Sequence, residues 1–343
     1  MKRVLLTGAT GRIGANVAKL LVESGYHVIA VVRPDTHRAQ KLASLDLELR
    51  PVDLRDRERL TACVSGIDAI VHLGVKLRGP TNYDHLDINL SPTLTLLEAV
   101  RQHCPNLERF VYGSSDTLFP HTGWMPEPIR YEQRFTWPVG MYAWSKLAGE
   151  AMVNSYFRQY GIPTVILNIP WTFCGREFLG QRTRSLSPLI EHHLDELERQ
   201  PAGEARDRTV AELRAARAEG REWVVPLCPE GPPFKRHLGD VRDVAEAHRL
   251  ALERDSAVGE AFVIMSRPFD FGVAVPHLAQ ISGQGYCRVV FPRAEYYEYD
   301  MTYAREKLGF VARYGPREMI EDAWRQARGE EIGVIDVGPE VEG

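Results

Sequence analysis

The chain has 343 residues, a formal net charge of −4, and apolar and charged fractions of 44% and 26%. These values indicate one large or two closely joined globular domains, and the slightly acidic balance argues against a nucleic-acid partner. No apolar run is long enough to span a bilayer and no signal peptide is visible, so we expect a cytoplasmic protein without a membrane partner. The five cysteines lie far apart, which favours free thiols and no metal site.

The first predicted strand, Arg3–Leu6, leads into a turn with three regularly spaced glycines, and an amphipathic helix follows the turn. Glycine permits a tight turn, a close approach of backbone N–H groups to a pyrophosphate, and close packing of the helix on the strand. The helix N-terminus adds unpaired N–H donors and the positive end of the helix dipole. This stretch therefore predicts a dinucleotide-binding loop. Its cofactor-binding residues would be Gly8, Thr10, Gly11, Arg12 and Ile13, with Gly14 packing the helix.

Strands and helices alternate after this loop. Apolar runs predict further strands at 27–33, 47–52, 68–73, 109–115 and 164–169. The segments between them have the composition and spacing of helices at 36–45, 57–64, 92–102 and 141–160. This alternation predicts a Rossmann-type α/β fold, a doubly wound parallel sheet with helices on both faces. Ligands of such sheets bind at the carboxyl ends of the strands.

The composition becomes more charged from about residue 175, and helices are predicted at 187–199 and 204–219. We expect a smaller, mostly helical substrate-binding region made of 175–239 and 266–330, with 240–265 returning to the dinucleotide-binding domain of 1–174. The two charged helices form either a lid over the substrate or a solvated insertion, and both interpretations stay open. The acidic, glycine-rich segment 331–343 is predicted to be a flexible tail.

Tyr142 and Lys146 are four residues apart on the predicted helix 141–160, so their side chains lie one turn apart on one face. A nearby ammonium group lowers the pKa of tyrosine, ordinarily about 10, and makes the phenol a usable proton donor and acceptor. Ser115 closes a predicted strand, where its hydroxyl would face the same crevice. The three residues predict a site that exchanges a proton with a substrate hydroxyl or carbonyl.

The ordered motifs of the chain resemble those of the extended short-chain dehydrogenase/reductase family, also called the NAD-dependent epimerase/dehydratase family. TGATGRIG is similar to the family's TGxxGxxG, VYGSS to its catalytic serine strand, and YAWSK to its YxxxK motif. Further matches are HLG at 72–74, RHLGDVRDVAEA at 236–247 and DMTYAREKLGF at 300–310. The resemblance implies that Tyr142 is the acid/base, that Lys146 lowers its pKa and binds the nicotinamide ribose, and that Ser115 orients the substrate oxygen. A hydride would pass between the substrate carbon and the nicotinamide.

The resemblance also implies positions around the cofactor and between subunits. Asp53 and Leu54 match the segment that meets the adenine ring, and Leu73 and Gly74 lie beside the cofactor on the fourth strand. Asn89 stands where the family has an asparagine behind the catalytic lysine. A homodimer joined through the helices 92–102 and 141–160 is implied as well.

The end of the second predicted strand distinguishes the two nicotinamide dinucleotides. An acidic residue there binds the ribose 2′-hydroxyl of NAD, but this strand ends in Arg33, with Asp35 two residues later. A guanidinium suits a 2′-phosphate, and Arg12 could assist, so NADP is favoured. In the alternative interpretation Arg33 stacks on adenine and Asp35 serves NAD.

The chain departs from the family pattern after the catalytic serine. Family dehydratases carry Asp-Glu there, whereas Ser115 is followed by Asp116 and Thr117. The missing glutamate argues against 4,6-dehydration. Asp116 either touches the substrate or only forms local hydrogen bonds, so Asp116 and Thr117 are candidate substrate residues.

A second departure concerns the sixth predicted strand. Members that act on nucleotide sugars usually have arginine at the position of Asn168 and asparagine near Trp171, so this feature opposes a diphosphate ligand. Arg236 nevertheless matches an arginine that such members use on the diphosphate. Trp171 and Arg236 are therefore candidate substrate residues, in a pocket predicted to have apolar walls.

Three functions follow from these observations. The leading prediction is an NAD(P)-dependent oxidoreductase acting on the hydroxyl or carbonyl carbon of a small sugar-like or aromatic substrate. The alternative is a nucleotide-sugar epimerase of the same family. A non-catalytic NAD(P)-sensing protein is disfavoured because Ser115, Tyr142 and Lys146 are all present.

Overall fold

The structure, a computed structural model, describes residues 1–179 and 188–337. Its strands are β1 Arg3–Thr7, β2 His27–Val32, β3 Glu48–Pro51, β4 Ala69–His72, β5 Arg109–Ser115, β6 Gly123–Trp124, β7 Thr164–Ile169, β8 Thr172–Phe173, β9 Arg221–Leu227, β10 Lys235–Arg236, β11 Gly239–Asp240, β12 Ala261–Val263, β13 Phe269–Asp270, β14 Gly285–Val290 and β15 Glu295–Tyr296. Its α-helices are α1 Arg12–Glu23, α2 Arg57–Ala62, α3 Tyr83–His85, α4 Ser91–His103, α5 Met141–Tyr160, α6 Ile190–Glu198, α7 Glu204–Ala218, α8 Val241–Glu253, α9 Phe271–Ser282 and α10 Pro316–Ala327. A π-helical segment, Leu86–Leu90, joins α3 to α4, and a 3-10 helix, His37–Leu42, follows β2. Within residues 1–179 and 188–337, no helix is both long and apolar enough to cross a membrane.

Seven strands form one parallel sheet in the order β3-β2-β1-β4-β5-β7-β12. The sheet continues from β1 in both directions, so a crevice opens at the carboxyl ends of β1 and β4. Thr7 is paired with Val31 on one side and His72 on the other, which brings the ends of these three strands level. Side chains on both faces are buried under helices, as in Leu5 and Leu6 of β1. The predicted Rossmann-type fold is confirmed.

The chain returns to this sheet after leaving it. β12 pairs in parallel with β7, and Phe262 lies opposite Leu167. The apolar face of α8 packs against α1 in the same core, which includes Val17 and Leu21 of α1 with Val244 and Leu250 of α8. The segment expected to return to the dinucleotide-binding domain therefore contributes its last strand and one covering helix.

The remaining part of the chain contains small sheets as well as helices. One sheet has the order β13-β10-β15-β6, and β9 and β14 pair in parallel beside it. Leu194 of α6 and Leu213 of α7 are buried in the same core as Val224 of β9 and Val289 of β14. The predicted helix at 187–199 begins at Ile190 within the described residues. The prediction of a mostly helical region missed these sheets because several of their strands have only two residues.

Part of the segment predicted to be a flexible tail is bound to the first helix. The backbone N–H of Ile335 donates to Asn16 Oδ1 at 2.8 Å, and Asn16 Nδ2 donates to the Ile335 carbonyl at 3.0 Å. Val337 is buried against Cys174 and Val241. The flexible-tail prediction is therefore wrong for 331–337, because the apolar side chains of this acidic segment have a docking site. Residues 338–343 lie outside the described part of the chain.

Candidate functional site

The loop between β1 and α1 is shaped by its glycines. Gly8 has a φ of +73°, and a Cβ at this position would lie 2.7 Å from the backbone of Leu73. A Cβ at Gly14 would lie 2.1 Å from the Gly8 carbonyl oxygen. Gly11 precedes α1, whose first turn contains no acidic residue, and the described residues provide no side-chain cap for this helix. The first-turn N–H groups can therefore receive an anion, so this loop fits the pyrophosphate of a dinucleotide.

A buried histidine fixes the neighbouring end of β4. Thr7 Oγ1 accepts the backbone N–H groups of Leu73 and Gly74 at 3.1 and 2.9 Å and lies 2.7 Å from His72 Nδ1. His72 Nε2 lies 3.0 Å from Thr93 Oγ1. Burial lowers the pKa of His72 to about 3, so the ring is neutral. These bonds hold Leu73 and Gly74, both predicted beside the cofactor, directly next to the glycine loop.

The three predicted catalytic side chains come together at the ends of β5 and α5. Ser115 Oγ accepts from the Thr117 N–H and hydroxyl at 3.2 and 3.1 Å. The Ser115 hydroxyl also lies close enough to Tyr142 to lower the pKa of the phenol. Lys146 Nζ lies 5.9 Å from the centroid of the Tyr142 ring and donates to the Gly113 carbonyl at 2.6 Å. The serine, tyrosine and lysine therefore form one cluster.

Burial dominates the titration of this cluster. It raises the pKa of Tyr142 above its ordinary value, Ser115 opposes this effect, and the Asp116 carboxylate adds to it. Burial also lowers the pKa of Lys146 to about 7, and Glu150 opposes that effect. The sequence predicted a tyrosine pKa lowered by the lysine, whereas in this structure burial of the phenol raises it.

Asn89 supports the cluster indirectly. It is buried in the π-helical segment, where its Oδ1 accepts the Lys76 N–H at 2.8 Å and its Nδ2 donates to the Lys76 carbonyl at 3.1 Å. The same Nδ2 donates to Ser145 Oγ at 3.0 Å. Asn89 thus connects the loop after β4 to the helix that carries Tyr142 and Lys146.

The segments predicted to meet the adenosine lie beside the same crevice. Asp53 accepts Arg55 Nη2 and Nε at 2.6 and 2.9 Å, and these bonds lower the pKa of Asp53 to about 2. Leu54 Cδ1 lies 2.5 Å from the point where a Cβ of Gly74 would be, so this leucine packs on the cofactor loop. Arg33 is exposed just after β2 and lies near enough to Asp53 to lower its pKa.

The Arg12 side chain is paired with a carboxylate of the protein. Its Nε and Nη2 each donate to a carboxylate oxygen of Glu177 at 2.7 Å, and the Glu177 side chain is 2% exposed. A bidentate pair of this kind occupies the guanidinium and neutralises its charge. The arrangement therefore does not support the prediction that Arg12 assists at a 2′-phosphate.

Sequence reasoning missed a buried cation in the 3-10 helix that follows β2. The Lys41 ammonium is buried and has no hydrogen-bond partner among residues 1–179 and 188–337. Burial and the neighbouring Arg38 lower the pKa of Lys41 to about 8, while Cys174, Asp336 and Glu177 act in the opposite direction. The signal available in the sequence was the repetition of basic residues in the segment RPDTHRAQK that begins at Arg33.

Asp116 connects the catalytic serine to the predicted substrate pocket. Its Oδ1 accepts from Ser115 Oγ at 3.3 Å, and its Oδ2 accepts from the Trp171 N–H at 3.2 Å. Burial raises the pKa of Asp116. The Trp171 side chain is 46% exposed. Asp116, Thr117 and Trp171, all predicted to contact the substrate, therefore border the catalytic cluster.

Arg236 is buried and paired. Its Nη2 lies 2.5 Å from Glu295 Oε2, and its guanidinium lies 5.2 Å from the centroid of the Phe271 ring. The other Glu295 oxygen lies 2.9 Å from Arg293. Burial raises the pKa of the neighbouring Tyr297, and the positive charge of Arg236 opposes this effect. The positive charge of Arg236, which the sequence suggested for binding a diphosphate, is therefore balanced by Glu295.

Comparisons with known proteins identify relatives of the chain in sequence and in fold. Residues 4–264 match the model of the NAD dependent epimerase/dehydratase family. A UDP-glucose 4-epimerase of Corynebacterium glutamicum is 25% identical over 340 residues, with 94% of each chain covered. A uronate dehydrogenase of Pseudomonas syringae pv. tomato is 31% identical over 180 residues, which are 50% of this chain and 60% of that protein. The crystal structure of a short-chain dehydrogenase/reductase superfamily protein from Agrobacterium tumefaciens with bound NAD is 26% identical, has a TM-score of 0.77, and is matched over 95% of this chain and 97% of that one.

Proposed function

Because the chain belongs to the NAD dependent epimerase/dehydratase family, we propose that it is a nicotinamide-dependent oxidoreductase acting on a small substrate. The observation that carries the proposal is the cluster of Ser115, Tyr142 and Lys146 at the carboxyl edge of the sheet, next to the glycine loop. The reacting carbon would bear a hydroxyl or carbonyl group, since these residues are suited to moving a proton at an oxygen.

Each residue of the cluster has a distinct role in the proposed reaction. When bound, the nicotinamide dinucleotide supplies or accepts the hydride. The Tyr142 hydroxyl gives its proton to the substrate oxygen in reduction and takes it back in oxidation. Ser115 Oγ holds the same oxygen by a hydrogen bond, and Lys146 in its protonated form stabilises the Tyr142 phenolate.

The charges near the end of β2 support NADP as the preferred cofactor. Arg33 is exposed directly after the strand, and Lys41 and Arg38 add two positive charges in the following 3-10 helix. NAD is the alternative, favoured by the NAD bound to the similar protein from Agrobacterium tumefaciens.

The substrate pocket favours a compact ligand over a nucleotide sugar. Arg236 is neutralised by Glu295, and the amide of Asn168, at the place of a family arginine, donates to Glu150. Trp171 offers an indole face at the pocket edge. We therefore propose a small sugar-like or aromatic alcohol or carbonyl compound, and the uronate dehydrogenase relative makes uronic acids a first choice to test.

A nucleotide-sugar epimerase remains the second candidate. It is favoured by the UDP-glucose 4-epimerase that aligns along 94% of both chains. One assay separates the two functions: the protein is incubated with NAD or NADP and with uronic acids, sugars, aromatic alcohols or UDP-sugars. A net absorbance change at the reduced-nicotinamide band supports the oxidoreductase. Interconversion of a UDP-sugar without net absorbance change supports the epimerase instead.

A homodimer joined through α4 and α5 is part of the same proposal. These helices expose apolar side chains, with Leu94, Trp144 and Tyr160 at 42%, 40% and 45% exposure. Covering them with the same helices of a second subunit would remove apolar surface from water. Light scattering of the purified protein measures the assembly directly, and a monomer would contradict the proposal.

A further inference from the structure

A fully buried carboxylate lies behind the catalytic lysine, and the reaction proposed above does not use it. Glu150 is one turn beyond Lys146 on α5 and is 0% exposed. Its Oε1 accepts from Asn168 Nδ2 at 2.6 Å, and its Oε2 accepts from Arg134 Nη1 at 2.8 Å. Successive spacings of four residues put Tyr142, Lys146 and Glu150 along one face of the helix.

The groups around Lys146 make the Glu150 carboxylate important for the protonation of the lysine. On neighbouring strands the ammonium faces Tyr112, whose ring centroid is 5.2 Å away, and His72, whose neutral form it favours. On its own helix it faces Tyr142 and Glu150. Glu150 is the member of this set that favours the protonated lysine, against the cost of burial.

Glu150 in turn is shared between two cations. Arg134 reaches it from the loop before α5 and is only partly covered, with a side-chain exposure of 27%. Tyr112 and Tyr131 also face Glu150, since the carboxylate raises the pKa of both phenols. The two positive charges therefore compete for one buried negative charge.

We propose that Glu150 is a positioning residue that keeps Lys146 protonated and directed at Gly113 and Tyr142, and that Arg134 limits this effect by sharing the carboxylate. The proposal rests on the proposed function only in taking Tyr142 as the proton-transferring group. It predicts opposite effects for two substitutions. Glu150→Gln removes the negative charge and leaves an amide of the same shape, so Lys146 should lose its proton at lower pH. Arg134→Met leaves the carboxylate to Lys146, which should then lose its proton at higher pH.

The experiment is an NMR titration of the full-length protein labelled with ¹³C at the lysine Cε. The chain has seven lysines, and Lys146→Met identifies the resonance of interest. We expect a midpoint near 7 for Lys146, a fall of about one pH unit in Glu150→Gln, and a rise in Arg134→Met. The control Glu98→Gln, at a partly exposed glutamate of α4 that also binds an arginine and a tyrosine, should leave the midpoint unchanged.

In Glu150→Gln, loosened packing gives a different result from loss of charge. Water entering the site would move the Lys146 midpoint toward the ordinary lysine value of 10.5, which is upward in every variant. An unchanged or raised midpoint in folded Glu150→Gln overturns the proposal. If that variant does not fold, an unchanged midpoint in Arg134→Met overturns it. No substrate is used, so a failed activity screen would contradict the proposed function and leave this inference standing.

Discussion

Arg236 and Glu295 form an ion pair with 2.5 Å between their nearest side-chain atoms, and both side chains are almost completely withdrawn from solvent. The pair lies where a family arginine would meet a nucleotide diphosphate. A guanidinium already bonded to a buried carboxylate has little attraction left for a phosphate, because the two charges cancel in the low-dielectric interior. We therefore expect the pair to disfavour nucleotide-sugar ligands.

Removing the negative charge of Glu295 should leave Arg236 able to bind a phosphate group. We expect Glu295→Gln to destabilise the protein by about 3 kcal/mol, because it leaves Arg236 buried without its counter-charge. The same variant should bind UDP about tenfold more tightly than the wild type. Urea unfolding and calorimetric titration with UDP measure the two effects. Glu298→Gln is the control, since Glu298 pairs with Lys235 in a more exposed position and should cost less than about 1 kcal/mol.

The proton-transfer role of Tyr142 is tested by removing one oxygen atom. Tyr142→Phe should lower kcat by about 10²- to 10⁴-fold and leave dinucleotide affinity nearly unchanged, because the ring keeps its packing. Ser115→Ala should lower kcat by about 10²-fold by removing a hydrogen bond to the reacting oxygen. Steady-state kinetics on the substrate found in the screen, with cofactor binding measured separately, checks both. Full activity of Tyr142→Phe would exclude the enzyme mechanism.

The choice of cofactor depends on Arg33. Arg33→Ala should weaken NADP binding by about tenfold or more through loss of a charge-assisted hydrogen bond, and should change NAD binding much less. Fluorescence titration of both cofactors measures the ratio. Arg59→Ala removes an equally exposed arginine on α2 and should affect neither cofactor. Equal losses for NAD and NADP in Arg33→Ala would show that the arginine does not read the 2′-phosphate.

We expect the buried His248, which is outside the candidate site, to contribute to the loss of stability at acid pH. Burial lowers the pKa of His248 to about 4, so the folded protein resists a proton that the unfolded chain accepts below about 6.5. The contribution of His248 to stability is therefore complete above pH 6.5 and is lost as the pH falls toward 4. In His248→Leu the unfolding free energy should fall less steeply over this pH range. The slopes of the two proteins should differ by about 1.4 kcal/mol per pH unit. Urea unfolding at pH 7.5, 6 and 5 tests this, and parallel slopes for both proteins would contradict it.

The docked C-terminal segment protects a thiol. Cys174 is buried with Val337, and its Sγ donates to the Ile335 carbonyl at 3.3 Å. Removal of residues 331–343 should therefore make one additional thiol react rapidly with DTNB. Cys174→Ser in the shortened chain should abolish that reaction. A shortened protein with the slow thiol reactivity of the full chain would show that this segment does not cover Cys174.

The sequence predicted the site best where the determinants are local. The spacing of Tyr142 and Lys146 along one helix, and the glycines after β1, carry their geometry in the chain itself. Strands such as β1, β2 and β4 were found because their apolar side chains are buried on both faces of the sheet. The fold and the meeting of three catalytic side chains followed from these patterns.

The partners of buried charges could not be predicted, because they join distant parts of the chain. Arg12 binds Glu177 across 165 positions, and Arg236 binds Glu295 across two short strands. No periodicity marks such pairs. The raised pKa of Tyr142 has the same origin, since it depends on how much protein surrounds the phenol.

The bonds between Asn16 and Ile335 span 319 positions of the chain. During synthesis on the ribosome, α1 emerges long before Ile335, so its asparagine can meet this partner only after the next 319 residues have been translated. A chain that terminates shortly before Ile335 would contain every residue proposed for catalysis and still leave α1 without these two bonds. The helix after the glycine loop therefore gains these two bonds only once Ile335 has been synthesised, and a product that stops before Ile335 differs from a longer one at that helix.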